Sequence, residues 1–103
     1  MKLSETALLK SIMHYLALRK DVFAWRNNTG AIVTDERFIR YGKRGSSDII
    51  GICANGRFLA IEAKVGKGRQ SPEQMEFERL VRASGGLYVL AYSIDDVKRG
   101  LDI

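Results

Sequence analysis

The stretch DIIGICANGRFLAIEAKV, residues 48–65, reads as two β-strands joined by a tight turn. Asn55-Gly56 is the strongest hairpin signal in the chain, because a two-residue type I′ turn needs positive φ at both central positions and Asn and Gly adopt it most easily. Residues 48–54 before it and 57–65 after it are rich in apolar and β-branched residues. A two-residue turn pairs Ala54 with Arg57 and so predicts residue 49 opposite Glu62, with Asp48 near Ala63 at the strand end. A bulge or a slip of one residue would set Asp48 directly beside Glu62.

The flanking sequence supplies the remaining elements. Leu8, Leu9, Ile12, Tyr15 and Leu16 recur at helical spacing within residues 4–19, with Ser4 as the N-cap. Residues 21–27 read as a short strand and Asn27-Asn28-Thr29-Gly30 as a turn, with extended segments at 31–33 and 37–41. Two basic, glycine-containing loops follow, at 42–47 and 66–70. Ser71-Pro72 opens a helix with Gln74 completing a capping box, and Gly85-Gly86 stops it. Residues 87–92 form an almost wholly apolar strand, and Ser93 caps a last short helix reaching about residue 100. The helix between Val65 and Leu87 is a crossover long enough to make those two strands parallel. The predicted fold class is α/β of mixed α+β type, a small mixed sheet flanked by helices, in one domain over residues 1–103.

Composition narrows the chemistry. The 103 residues carry 17 Lys+Arg against 12 Asp+Glu, a net charge of +5 that favours an anionic partner such as nucleic acid, although solubility alone can account for it. The single cysteine, Cys53, excludes an internal disulfide or a cysteine zinc cage, and reads as a small buried hydrophobe. The single histidine, His14, excludes a poly-histidine metal site within one chain, leaves any Ser-His triad only itself, and reads as a surface residue. No apolar run approaches the ~18 residues of a membrane span, and the N-terminus has no signal-peptide core. A cytoplasmic domain is expected, with no membrane partner. No repeat, linker or low-complexity tract interrupts it.

Three features exceed what packing requires. Glu62 and Lys64 share one face of an apolar strand, an arrangement that a solvated ion pair would also explain. Asp48 lies at the start of the strand hairpinned to theirs, where a turn cap would also place it. Two carboxylates brought together repel, and a hard cation such as Mg²⁺ relieves this. Glu5 lies on the apolar stripe of the first helix and Gln74 lines up with Phe77 and Val81 on the second, so both are expected to point inward. Lys43, Arg44, Lys67 and Arg69 ring these residues. An acidic pocket inside a basic rim suits metal-dependent phosphodiester hydrolysis. Phe23 and Trp25 alternate on one strand face, as core or as an interface. Arg26, Arg37 and Arg40 suit either phosphates or solvent.

Ser46-Ser47-Asp48, thirteen residues, then Glu62-Ala63-Lys64 resembles the PD-(D/E)XK nuclease motif. The spacing, the basic loop and the Ser71-Pro72-Glu73-Gln74 helix start resemble the virus-type replication-repair nuclease (VRR-NUC) branch, from Glu5 to about Val97. Ser47 stands where the motif has proline, a position that shapes the turn and binds nothing. The resemblance implies a restriction-endonuclease-like core, with Asp48, Glu62 and the Ala63 backbone carbonyl binding Mg²⁺ or Mn²⁺. It implies that Lys64 positions or activates the attacking water, that Glu5 holds a metal-bound water or a second ion, and that Gln74 orients Lys64 or the water. It further implies a phage-type, stand-alone endonuclease acting on branched DNA in the host cytoplasm, similar to Holliday-junction resolvases. Two symmetric cuts with one site per chain imply a homodimer. Lys43, Arg44, Lys67 and Arg69 would bind DNA. Other readings are a flap, nick or duplex nuclease of the same fold, or a non-catalytic DNA-binding module.

Overall fold

The hairpin that organises the sheet closes differently from its strongest sequence signal. The structure, a computed structural model, describes residues 3–28 and 30–102, and for residues 32, 40 and 41 their backbone. Cys53 N donates to Arg57 O at 2.9 Å and Gly56 N donates to Cys53 O at 2.8 Å, so the loop is residues 54–56. Gly56 holds φ +82° and Asn55 Oδ1 accepts from Arg57 N at 3.0 Å. This is a turn closed by a left-handed glycine, the three-residue hairpin loop with a G1 bulge. The extra loop residue moves every pair by one position. Ile49 therefore opposes Ile61 rather than Glu62, and the ladder continues through Ile50↔Ala60 and Gly51↔Leu59 to Ile52↔Phe58. Asp48, one step beyond Ile49, comes level with Glu62.

The elements follow in the order α1 (Glu5–Ala17), β1 (Val22–Arg26), β2 (Gly30–Val33), β3 (Phe38–Tyr41), β4 (Ile49–Cys53), β5 (Phe58–Ala63), α2 (Pro72–Ala83), β6 (Leu87–Ala91) and α3 (Ile94–Leu101). The main sheet has strand order β1-β4-β5-β6. β1 and β4 pair antiparallel, as do β4 and β5, whereas β5 and β6 are parallel and α2 is the crossover between them. β2 and β3 form a separate two-stranded ladder. The fold is thus mixed α/β, three helices around a four-stranded mixed sheet with a second small hairpin. No helix among the described residues is long and apolar enough to cross a membrane.

The two faces of the sheet are covered unequally. On one, Leu8, Leu9, Ile12 and Leu16 of α1 and Val97 of α3 bury Ile49, Leu59, Ile61, Ala63, Val89 and Ala91. The spacing of the α1 residues matches its predicted stripe, and Ser4 caps the helix by accepting from Ala7 N at 3.0 Å. On the other face, α2 covers a smaller cluster of Ala60, Val81 and Tyr88, flanked by Ile50, Phe77 and Leu90. The part of this face formed by β1 and β4 is left open, with Phe23 70%, Trp25 42% and Ile52 45% exposed. Phe23 and Trp25 are therefore not core; their rings lie 5.4 Å apart. His14 is exposed, and Cys53 packs half-buried against the larger core.

A Cβ added at Gly56 would meet no atom, so substitution there tests backbone conformation alone. Gly56→Ala is expected to lower unfolding free energy by about 1–2 kcal/mol, the cost of a left-handed L-residue, in urea denaturation followed by circular dichroism. Gly56→Asn should lose less. Equal stability of all three proteins would exclude the bulged loop.

Candidate functional site

Three segments converge at the C-terminal end of β5. Asp48 precedes β4, and its Oδ2 accepts a hydrogen bond from Ala63 N at 2.9 Å, tying the two strands at the level of the site. Glu62 faces α2, as Ala60 does, and is only 2% exposed. Gln74 arrives from the first turn of α2. The capping box orients it: Ser71 Oγ accepts from Gln74 N at 3.1 Å, and Gln74 Oε1 accepts from Ser71 N at 2.8 Å. With its oxygen engaged at the cap, the amide turns its nitrogen inward, and Nε2 donates to Glu62 Oε2 at 3.2 Å. Lys64 Nζ lies 3.8 Å from the same oxygen, with its side chain only 15% exposed. Glu62 and Lys64 thus share a face as predicted, but it is covered rather than solvated.

The other oxygen, Glu62 Oε1, is buried without a hydrogen-bond donor. The Asp48 carboxyl lies level with Glu62 on the adjoining strand. Burial, and then the neighbouring Asp48 carboxyl, push the Glu62 carboxyl up to about 8, against the pull of Lys64. Glu5 adds a weaker repulsion from α1. Its side chain is exposed rather than turned inward, because α1 begins at Glu5, a turn ahead of the first buried residue, Leu8. Glu5 therefore reaches the site as a charge at its solvent side.

The basic rim divides in two. Lys67 and Arg69 are exposed on the 66–70 loop, and Tyr92 Oη donates to Gly68 O at 2.8 Å, holding this loop down. Gly68 lies against the aliphatic stem of Lys64, where an added Cβ would approach the Lys64 Cδ to 3.6 Å. Lys43 and Arg44 sit elsewhere, contrary to the expectation that they ring the carboxylates. Arg44 pairs with Glu73 at 3.2 Å, and Lys43 lines a groove along α2 with Phe77 and Leu80. Gly45 enforces this placement: its φ is +83°, and an added Cβ would stand 2.5 Å from the Glu73 carbonyl oxygen, so the loop packs directly on the start of α2. Asn27 Nδ2 latches the same loop, donating to Ser46 Oγ at 2.8 Å and Ser47 O at 3.0 Å. Sequence reasoning missed Gln70 and Tyr88 behind the site; the one signal was a tyrosine in an apolar strand, whose hydroxyl needs a partner when buried.

Among the described residues, no group of three or more His, Cys, Asp or Glu side chains is arranged to hold a metal ion. The donors expected at the site are two carboxylates, Asp48 and Glu62, and the backbone carbonyl of Ala63, a residue whose amide meets Asp48. This all-oxygen set fits a hard divalent cation, which completes its shell with water. Such a cation would satisfy the unpartnered Glu62 Oε1 and keep both carboxylates ionised. No protein-family model matches the chain, and no curated protein matches it at a significant level.

Without metal, folded Glu62 keeps its proton up to about pH 8, whereas its ordinary value is 4.5. Between these values folding takes up a proton, so stability falls as pH rises through the window. Thermal melts in EDTA from pH 5 to 8 are expected to show this fall in the wild type and a shallower one in Glu62→Gln. Mg²⁺ should restore stability most at the upper end. Parallel pH profiles for the two proteins would remove the buried titrating carboxyl.

Proposed function

We propose that this chain is a metal-dependent endonuclease of the VRR-NUC branch that hydrolyses phosphodiester bonds in branched DNA. The observation that carries this reading is the gathering of Asp48, Glu62, Lys64 and Gln74 at one strand end, with Glu62 buried against a second carboxylate. The residues that meet there are those of the PD-(D/E)XK resemblance. A non-catalytic DNA-binding module has no use for a buried acidic pair, which disfavours both folding and phosphate approach.

Each residue then has a task. Asp48 and Glu62, with the Ala63 carbonyl, would hold Mg²⁺ or Mn²⁺, which supplies an activated water and screens phosphate charge. Gln74 fixes one Glu62 oxygen and so limits the rotation of that carboxylate. Lys64, nearly buried with Gly68 beside its stem, offers its ammonium group to the scissile phosphate and orients the nucleophile. Glu5, at the solvent side, would hold a water or a second ion. Lys67 and Arg69 attract the DNA backbone beside Lys64, and Lys43 and Arg44 extend positive charge along α2.

Symmetric cleavage of a four-way junction needs two such sites, and the open apolar face of β1 and β4 supports a homodimer. Antiparallel sheets usually turn polar residues to solvent, whereas here Phe23, Trp25 and Ile52 are exposed. Phe38 of β3 is also exposed; the side chain of Tyr41, its expected companion at the interface, lies outside the described residues. A stable pair needs about 800 Å² per partner.

Asp48→Asn and Glu62→Gln are expected to abolish Mg²⁺-dependent cleavage of a labelled four-way junction, with binding retained or tightened as a repulsive charge is lost. Lys64→Met should cost on the order of 100-fold or more, the scale for removing one electrostatic stabiliser. Wild-type rates in any of the three would sink the assignment. Linear duplex and flap substrates in the same assay report structure selectivity.

Light scattering at micromolar concentration is expected to give a dimer, and Phe23→Glu with Trp25→Glu a monomer. A wild-type monomer even on junction DNA would favour the flap or nick nuclease, for which one site per substrate suffices.

A further inference from the structure

A groove runs along one flank of α2, and the proposed reaction makes no use of its floor. At the end near the start of β5 it is a cavity of about 420 Å³, lined by the apolar side chains of Phe58, Phe77, Leu80 and Val81 and by the cations Lys43 and Arg57. Past Phe77 and Leu80 it continues as a cavity of about 310 Å³ that reaches Arg44, Glu73 and Glu76 in the first half of α2. Phe58 is 40% and Leu80 41% exposed, and Phe77 is half-buried, so the apolar floor is open to an occupant.

The charges along the groove are not equivalent. Glu73 pairs with Arg44 at 3.2 Å and Glu76 with Arg79 at 2.6 Å, so both carboxylates are offset by cations. Arg57 is held by a carbonyl instead: its Nε donates to Gly85 O at 2.8 Å, which fixes the guanidinium without cancelling its charge. Neither Arg57 nor Lys43 pairs with a carboxylate among the described residues. Two uncompensated cations beside an exposed apolar floor suit an occupant that carries both negative charge and a flat apolar face. A nucleotide has both. Bases inside a duplex are stacked on one another, so only an unpaired base can lay its face on a phenylalanine ring. The groove also leads to the carboxylates. Glu73, at its other end, precedes Gln74, whose amide holds Glu62. Phe58 shares β5 with Glu62 and lies about 13 Å from it at the usual rise of a strand.

We propose that this groove binds single-stranded DNA: an unpaired base stacks against Phe58 and Phe77 while Lys43 and Arg57 hold the adjoining phosphates. The inference deepens the nuclease reading and rests on it for the strand's place beside the cut, but strand binding itself does not need that reading. It gives selectivity for branched DNA a physical source. A flap or an opened branch point offers unpaired nucleotides near the scissile bond, and a closed linear duplex offers none.

The test measures strand binding in EDTA by fluorescence anisotropy, with labelled oligo-dT and an abasic strand of the same length as probes. The two carry the same phosphates, so the difference between them reports base stacking. Wild type is expected to bind oligo-dT more tightly than the abasic strand. Phe58→Ala should weaken oligo-dT binding about 5- to 150-fold, the span for loss of one base stack, and leave abasic-strand binding unchanged. Leu80→Glu, at an exposed helix position, should weaken both and carries the test should Phe58→Ala fold poorly. Equal affinity of wild type for the two strands overturns the proposal, as does wild-type oligo-dT affinity in either variant once folded. A peptide rich in Asp and Leu that binds wild type more tightly than oligo-dT does, and is lost in Leu80→Glu, would assign the groove to a protein partner and overturn it too. So would loss of the dimer in Leu80→Glu with oligo-dT affinity intact, which would assign the groove to self-association. A wild type that shows the stacking difference but cuts no DNA overturns the nuclease reading alone. One that cuts branched DNA without the stacking difference overturns only this inference.

Discussion

A carboxyl group buried beside another carboxyl group is the constraint around which the site is arranged. Glu62 is almost inaccessible, one of its oxygens has no donor, and Asp48 stands next to it. Charged, this pair is strongly unfavourable in a low-dielectric surrounding. The fold offers only partial relief: one amide hydrogen bond from Gln74 and one ammonium at 3.8 Å from Lys64. A proton or a cation must supply the rest. That physical demand links the geometry to the proposed chemistry, because the same pair that is awkward alone is a ready ligand for a hard dication.

Two local devices hold the pair together. The G1-bulged loop at residues 54–56 fixes the β4/β5 register, and that register brings Asp48 level with Glu62. The capping box at Ser71 performs the corresponding service from the helix side, since it consumes the oxygen of Gln74 and leaves the nitrogen for Glu62. A cap that stabilises a helix end thereby also orients a site residue.

The unequal covering of the sheet has a second consequence. α1 and α3 close most of one face, while α2 closes only the β5–β6 half of the other. The half left open bears large apolar side chains rather than the alternating polar ones of a solvated sheet. For a chain of 103 residues this is a sizeable patch. Trp25 opposes Ile50, two residues from Asp48, so the patch borders the carboxylates on the same face of the sheet.

The sequence by itself determined the elements. Helical stripes, the Ser4 and Ser71 caps, the Gly85-Gly86 stop and the length of the crossover are local signals, and each appears in the structure within a few residues of its predicted bounds. It also determined that Glu62 and Lys64 share a face, because strand periodicity leaves no choice. Tertiary structure decided the rest. Asn55-Gly56 admits both a two-residue and a three-residue loop, and the choice between them moves Asp48 by a full position. The exposure of Glu5 depended on where α1 meets the sheet, and the departure of Lys43 and Arg44 from the site depended on Gly45 docking against Glu73. The partner of the Tyr88 hydroxyl was invisible because Gln70 is distant in sequence. The burial that pushes Glu62 upward has the same origin: desolvation is set by what packs over a side chain, and α2 does so only once the chain has folded.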